Sequence, residues 1–87
     1  MWIEKNNCLE RTFKFNDFTE AWTFMTEVAF NAQRLGHHPN WSNNYNSVEI
    51  KLNTHDQGDI VTEKDHKLAK AIDVVYHKFS HYVGNND

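Results

Sequence analysis

Residues 9–35 read LERTFKFNDFTEAWTFMTEVAFNAQRL, and the hydrophobic period changes inside this stretch. Before the change, Leu9, Arg11, Phe13 and Phe15 alternate with Glu10, Thr12 and Lys14, as on the two sides of a β-strand, with Arg11 the one irregularity. After it, Phe18, Ala21, Trp22, Met25, Val28, Ala29, Ala32 and Leu35 recur at intervals of three and four, which is one face of an α-helix. The switch falls at Asn16-Asp17, where Asp17 and Glu20 have capping-box spacing, and Gly36 offers a left-handed stop. The pattern predicts a strand that runs into a helix over 17–35, with Phe18, Trp22 and Met25 in the core.

On the N-terminal side, Asn6-Asn7 divides residues 2–15 into a hairpin, because asparagine tolerates the positive backbone angles of a tight turn. On the other side, Pro39 keeps the chain extended or turning, residues 41–45 form a short strand and Asn46-Ser47 a turn. Val48 to His55 then reads as a fourth strand with Val48, Ile50 and Leu52 inward. Past the polar loop 56–59, Thr62 and Asp65 mark the start of a second helix over 63–82. Its apolar residues fall in two stripes: Leu68, Ile72, Val75, Phe79 and Tyr82, and beside them Ala69, Tyr76 and Val83. The second stripe suits either a broad core face or a neighbouring subunit's helix. The order strand, strand, helix, strand, strand, helix gives an α+β fold, a four-stranded antiparallel sheet with both helices packed on one face.

Eighty-seven residues make one domain, 1–87, and 39% hydrophobic residues with 14% aromatics can fill its core. Nine Lys and Arg against twelve Asp and Glu give a charge of −3 with no basic block, which argues against a nucleic-acid partner. No apolar run approaches the roughly 20 residues of a membrane helix, and no signal-like segment opens the chain. Cys8, alone, cannot form an internal disulfide, which points to a reducing, cytoplasmic setting. It has no His or Asp placed to make it a nucleophile and reads as a bystander.

Six histidines stand out, because imidazole titrates near neutrality. His37-His38-Pro39 follow the helix stop on a constrained corner, and His55 ends the fourth strand at the same edge of the sheet, so three imidazoles can converge. His66, His77 and His81 read as surface residues; the last two have the i, i+4 spacing of a chelate but no third ligand. A zinc site of His37, His55 and Asp65 is the least favoured reading, since a His-Pro corner is not a usual ligand pattern.

His37-His38-Pro39, Tyr45, His55 and Asp65, in this order and spacing, resemble the signature of the pterin-4a-carbinolamine dehydratase family, which includes the dimerization cofactor of hepatocyte nuclear factor. Phe13-Lys14-Phe15, Asp17-Phe18, Phe24-Met25-Thr26, residues 32–35, Trp41 and Thr54 extend the likeness over nearly the whole chain. Two departures stand against it. Gln33 occupies the position, four before the first histidine, where the family usually carries an ionisable side chain, and the first strand leaves no room for the extra N-terminal helix of many members.

The resemblance implies a 4a-hydroxytetrahydropterin substrate, released by an aromatic amino acid hydroxylase, and quinonoid dihydropterin plus water as products, in tetrahydrobiopterin recycling. It implies His37 and His55 as the acid/base pair, without deciding which is which, and His38 as a pterin-positioning group. Trp41 would wall the pterin pocket. Gln33, one turn before His37, and Asp65, a helix cap close to the site, would line it. No metal and no cofactor are implied. A homotetramer, a dimer of dimers held by helix two, is the expected assembly. The alternative is a non-catalytic protein-binding module such as a transcriptional coactivator.

Overall fold

The computed structural model describes the backbone of residues 1–84 and the side chains of residues 1–79, so the expected roles of His81, Tyr82 and Val83 lie outside it. The chain runs β1 (Ile3–Lys5), β2 (Cys8–Lys14), α1 (Phe18–Leu35), β3 (Asn40–Asn44), β4 (Ser47–Leu52), a 3₁₀ turn (His55–Gln57) and α2 (Glu63–Gly84). All neighbouring strands are antiparallel, in the order β1-β2-β4-β3, so the two hairpins are joined through β2 and β4. Asn6 and Asn7 both have positive φ, 53 and 62, as a type I′ hairpin turn requires.

The alternation expected of β2 and β4 sets the register. Leu9 faces Leu52, and Phe13 faces Val48, with all four side chains buried under the helices. Glu10, Thr12, Glu49 and Lys51 occupy the other, polar face. Arg11 does point inward, and the structure shows why that is tolerated. Its guanidinium lies 4.5 Å from the Phe13 ring centroid and 5.2 Å from that of Tyr76. It also donates to Asp73 Oδ1 at 2.8 Å, an oxygen that Trp2 Nε1 shares at 2.8 Å.

The helix starts and stops where the sequence indicates. Asp17 Oδ1 accepts from the Glu20 amide at 2.9 Å, while the Glu20 carboxylate accepts from the amide of Asn16, one residue earlier than in a standard box. At the other end Gly36 is left-handed, φ 66; its N–H bonds Gln33 O and the His37 N–H bonds Ala32 O, the paired bonds of a Schellman turn.

The face that α1 buries matches expectation at Ala21, Val28 and Ala32 and departs from it at Phe18 and Trp22. Ala21, Phe24, Val28 and Ala32 form the core, with Phe24 fully buried against Phe13 and Phe15. Phe18 and Trp22 stack on each other outside it, 46% and 57% exposed, and Met25 is only partly buried. The helix carries apolar residues around more than half its circumference, so two stripes satisfy the same period and only the tertiary partner selects one. In α2 the reverse holds. Ala69 is buried and Tyr76 packs on Phe13, Phe15 and Phe24, with its hydroxyl donating to Lys14 O, so these two residues of the second stripe belong to this chain's own core.

Two boundaries also move. The β3–β4 turn is Tyr45-Asn46 rather than Asn46-Ser47, with Tyr45 at φ 53 and the Asn43 side chain bonding the carbonyls of Tyr45 and Ser47. The fourth strand stops at Leu52, short of the expected His55. Thr54 bonds Ile60 across the following loop, and the chain winds into the 3₁₀ turn that Gly58 closes at φ 88.

Candidate active site

The Schellman turn after α1 reverses the chain at Gly36 and delivers His37 to the first turn of α2. There His37 Nε2 meets Asp65 Oδ1 at 2.5 Å, and the two side chains are 11% and 0% exposed. Asp65 holds the third position of α2, after the N-cap Thr62. Its other oxygen, Oδ2, accepts from the Thr62 amide at 2.8 Å and from the buried Thr54 hydroxyl at 2.8 Å. Asp65 is thus both a helix cap and the partner of a histidine, each role using one oxygen. Because an ionised carboxylate only accepts, His37 must carry its proton on Nε2, which leaves Nδ1 for proton exchange.

His55 sits on the 3₁₀ turn with a side chain 94% exposed, and its Nδ1 contacts Asp59 Oδ1 at 2.6 Å. Asp59 takes a left-handed conformation, φ 58, unusual outside glycine although Asp is among the residues that tolerate it. The same reasoning leaves Nε2 of His55 for proton exchange. His37 and His55 are thus each paired with an aspartate, the first pair largely buried and the second open.

His37, His38 and His55 line one cleft of about 480 Å³ at the end of the sheet, together with Lys51, Asn53 and Lys64. That volume lies within the range of small-molecule sites, roughly 300–1,000 Å³. The expected convergence of the three imidazoles on one cleft is what the structure contains. Two residues expected to line the site and one residue of the motif are placed as follows. Trp41 does not line this cleft; it pairs with Ile50 on the helix-covered side of β3 and borders an apolar groove with Trp22, Met25, Ala29 and Phe30. Gln33 meets His38, Oε1 to Nε2 at 3.0 Å, not His37, because the Schellman turn carries His37 away from α1 and across to α2. Tyr45, on the β3–β4 turn, is at the far end of that hairpin from Asn40 and Lys51 and is 61% exposed.

The sequence reading missed Asp59, Lys51 and Lys64, and it noted Thr54 only as part of a motif. One signal was available for Thr54. It continues the inward phase of Val48, Ile50 and Leu52, and a hydroxyl on a buried phase must find a partner. Among the described residues, no group of three or more His, Cys, Asp or Glu side chains could hold a metal ion.

A family model described as pterin 4 alpha carbinolamine dehydratase matches residues 1–75. A relative from Prochlorococcus marinus (strain NATL2A), provisionally named pterin-4-alpha-carbinolamine dehydratase, is 50% identical over 72 residues, 83% of this chain and 75% of its own. One from Rhodospirillum rubrum, with the same provisional name, is 57% identical over 65 residues, 75% of this chain and 67% of its own. Among solved structures, a transcriptional coactivator/pterin dehydratase from Brucella melitensis superposes with a TM-score of 0.81 at 39% identity, covering 85% of this chain and 80% of that one. A pterin dehydratase-like protein described as a RuBisCO assembly factor of the alpha-carboxysome shares the fold at 22% identity, with a TM-score of 0.69 and 86% of each chain covered.

Proposed function

The chain belongs to the pterin-4a-carbinolamine dehydratase family, and from that premise we propose that it dehydrates a 4a-hydroxytetrahydropterin in tetrahydrobiopterin recycling. The observation that carries this reading is the pair of carboxylate-oriented imidazoles on one cleft. Dehydration needs one proton delivered to the 4a-hydroxyl, which leaves as water, and one removed from ring N5, giving the quinonoid dihydropterin. Neither atom changes oxidation state through an external reagent, so two positioned groups that titrate near neutrality suffice. His37 and His55 take these roles, in either assignment. His38 positions the ring, steadied by Gln33, and Lys51 and Lys64 offer donors to its carbonyl and side-chain oxygens. An aromatic amino acid hydroxylase is the source of substrate, and the free thiol of Cys8 suits a cytoplasmic setting.

The test is spectrophotometric. A hydroxylase turning over limiting tetrahydropterin accumulates the carbinolamine, and added protein should accelerate its disappearance in ultraviolet absorbance. An unchanged decay would refute the activity.

A second reading, a protein-binding module such as a coactivator, is favoured by one feature. Phe18, Trp22 and Phe30, 46%, 57% and 73% exposed, share a face of α1 beside the groove that Trp41 borders. The expected homotetramer, a dimer of dimers held by helix two, is kept as the assembly, with this face of α1 as a further candidate contact. Light scattering of the wild type and of Trp22→Glu distinguishes an oligomer held by this face from a monomer.

A further inference from the structure

The hydrogen atoms between α2 and the strand-end loop can be placed in one way only. Asp65, ionised, accepts through both oxygens, so the hydroxyl of Thr54 must donate to Oδ2. Having spent its one hydrogen, Thr54 Oγ1 can only accept from Thr62 Oγ1, 2.5 Å away, and Thr62 in turn accepts from the Lys64 amide at 3.3 Å. Every donor in this chain points toward the carboxylate that holds His37, and hydrogen bonds aligned in series reinforce one another. Thr54 is 1% exposed and Asp65 0%, so no water competes for the bond between them.

The backbone of Thr54 serves the other histidine. Its N–H bonds Ile60 O at 2.8 Å, and its carbonyl accepts from Gln57 N at 3.3 Å and Asp59 N at 3.1 Å. These bonds close the loop that carries His55 and bring Asp59 to it. We propose that Thr54 is the positioning residue common to both His–Asp pairs: its hydroxyl fixes His37 through Asp65, and its peptide groups fix the turn bearing His55 and Asp59. This rests on the dehydration proposed above for its catalytic consequence, but the positioning itself is independent of the substrate.

The hydroxyl half can be removed alone. Thr54→Val keeps the shape and the backbone bonds, and it should lower kcat about ten- to a hundredfold, the worth of a hydrogen bond to a charged group. Proton and nitrogen-15 shifts of the imidazoles should show the His37 Nε2–H bond weakened, its proton moved upfield and exchanging faster because the carboxylate that accepts it has lost one of the bonds holding it, while His55 stays as in the wild type. Thr54→Ser should restore both kcat and the His37 signature. An unchanged His37 signature in the valine variant, or no restoration by serine, would overturn the proposal. Should the valine variant fail to fold, the wild type decides: the Thr54 hydroxyl proton should give a slowly exchanging resonance, and exchange as fast as an exposed hydroxyl's would overturn it. If the wild type has no dehydratase activity, the functional reading falls while the imidazole spectra still decide the role of Thr54.

Discussion

Replacing Asp65 by asparagine keeps the shape of the side chain and changes its charge and the number of directions in which it accepts. The carboxylate now receives three donors, the Thr62 amide and the Thr54 hydroxyl on Oδ2 and His37 Nε2–H on Oδ1. An amide has one oxygen. The Thr62 N–H cannot reverse, so the asparagine oxygen stays on that side and its NH₂ turns to His37. There it faces an N–H, and the imidazole must move its proton to Nδ1 and accept through Nε2. The fold should survive, because the helix cap is kept. A stability loss of about 1–3 kcal/mol follows from exchanging a charged for a neutral acceptor in a buried site, a fall in Tm of roughly 4–8 °C for each kcal/mol in a domain of this size. Catalysis should suffer more. The nitrogen left for proton exchange can no longer gain and lose its proton against a fixed Nε2–H, and the wrong tautomer in a comparable His–Asp pair costs about 10⁴ in kcat. Circular dichroism melting, the hydroxylase-coupled absorbance assay and nitrogen-15 spectra of His37 measure the three quantities separately. A variant that keeps the wild-type rate and the Nε2–H form of His37 would refute the reasoning.

His37→Ala and His55→Ala should each reduce the dehydratase rate by about 10² to 10⁴; wild-type rates in both would remove the acid/base assignment, and unchanged melting of the His55 variant is expected because that side chain is 94% exposed. Phe24→Ala should cost about 3–5 kcal/mol, whereas Trp22→Ala should stay within about 1 kcal/mol in the monomer; equal losses in urea titrations would mean the buried face of α1 is misassigned. Gly36→Ala should destabilise by about 1–2 kcal/mol through its positive φ alone, since nothing lies within 4 Å of the added methyl group; a neutral change would show that the left-handed turn is not needed.

The sequence carried the fold where periodicity and punctuation agree. Leu9, Phe13 and Phe15 against Val48, Ile50 and Leu52 have a period of two with turn residues on either side, and no competing pattern fits. On α1 the same method misplaced Phe18 and Trp22, because a helix apolar on two adjoining stripes has no unique inward face until the sheet selects one. The histidine cluster was legible from its motif. Its partners were less so: Asp65 stood out through its capping position, whereas the Asp59 contact depends on a left-handed residue in a polar loop, a conformation that spacing does not encode. Gln33 lies four residues before His37, yet the intervening glycine turn breaks the helical geometry that would have joined them.

Arg11, the irregular residue of β2, has a consequence for how the sheet finds its pairing. Leu9, Phe13 and Phe15 would bury equally well if β2 slid by two residues along β4, since the inward face is preserved by any even shift. Such a slide would draw the guanidinium roughly 7 Å from its place, away from the Asp73 carboxylate on α2 that it meets at 2.8 Å. A cation stranded beneath a helix is far costlier than a displaced leucine. The one residue that spoils the alternation is therefore the one that tells sliding registers apart, and an Arg11→Leu chain should gain an inward apolar side chain while losing the uniqueness of its strand alignment.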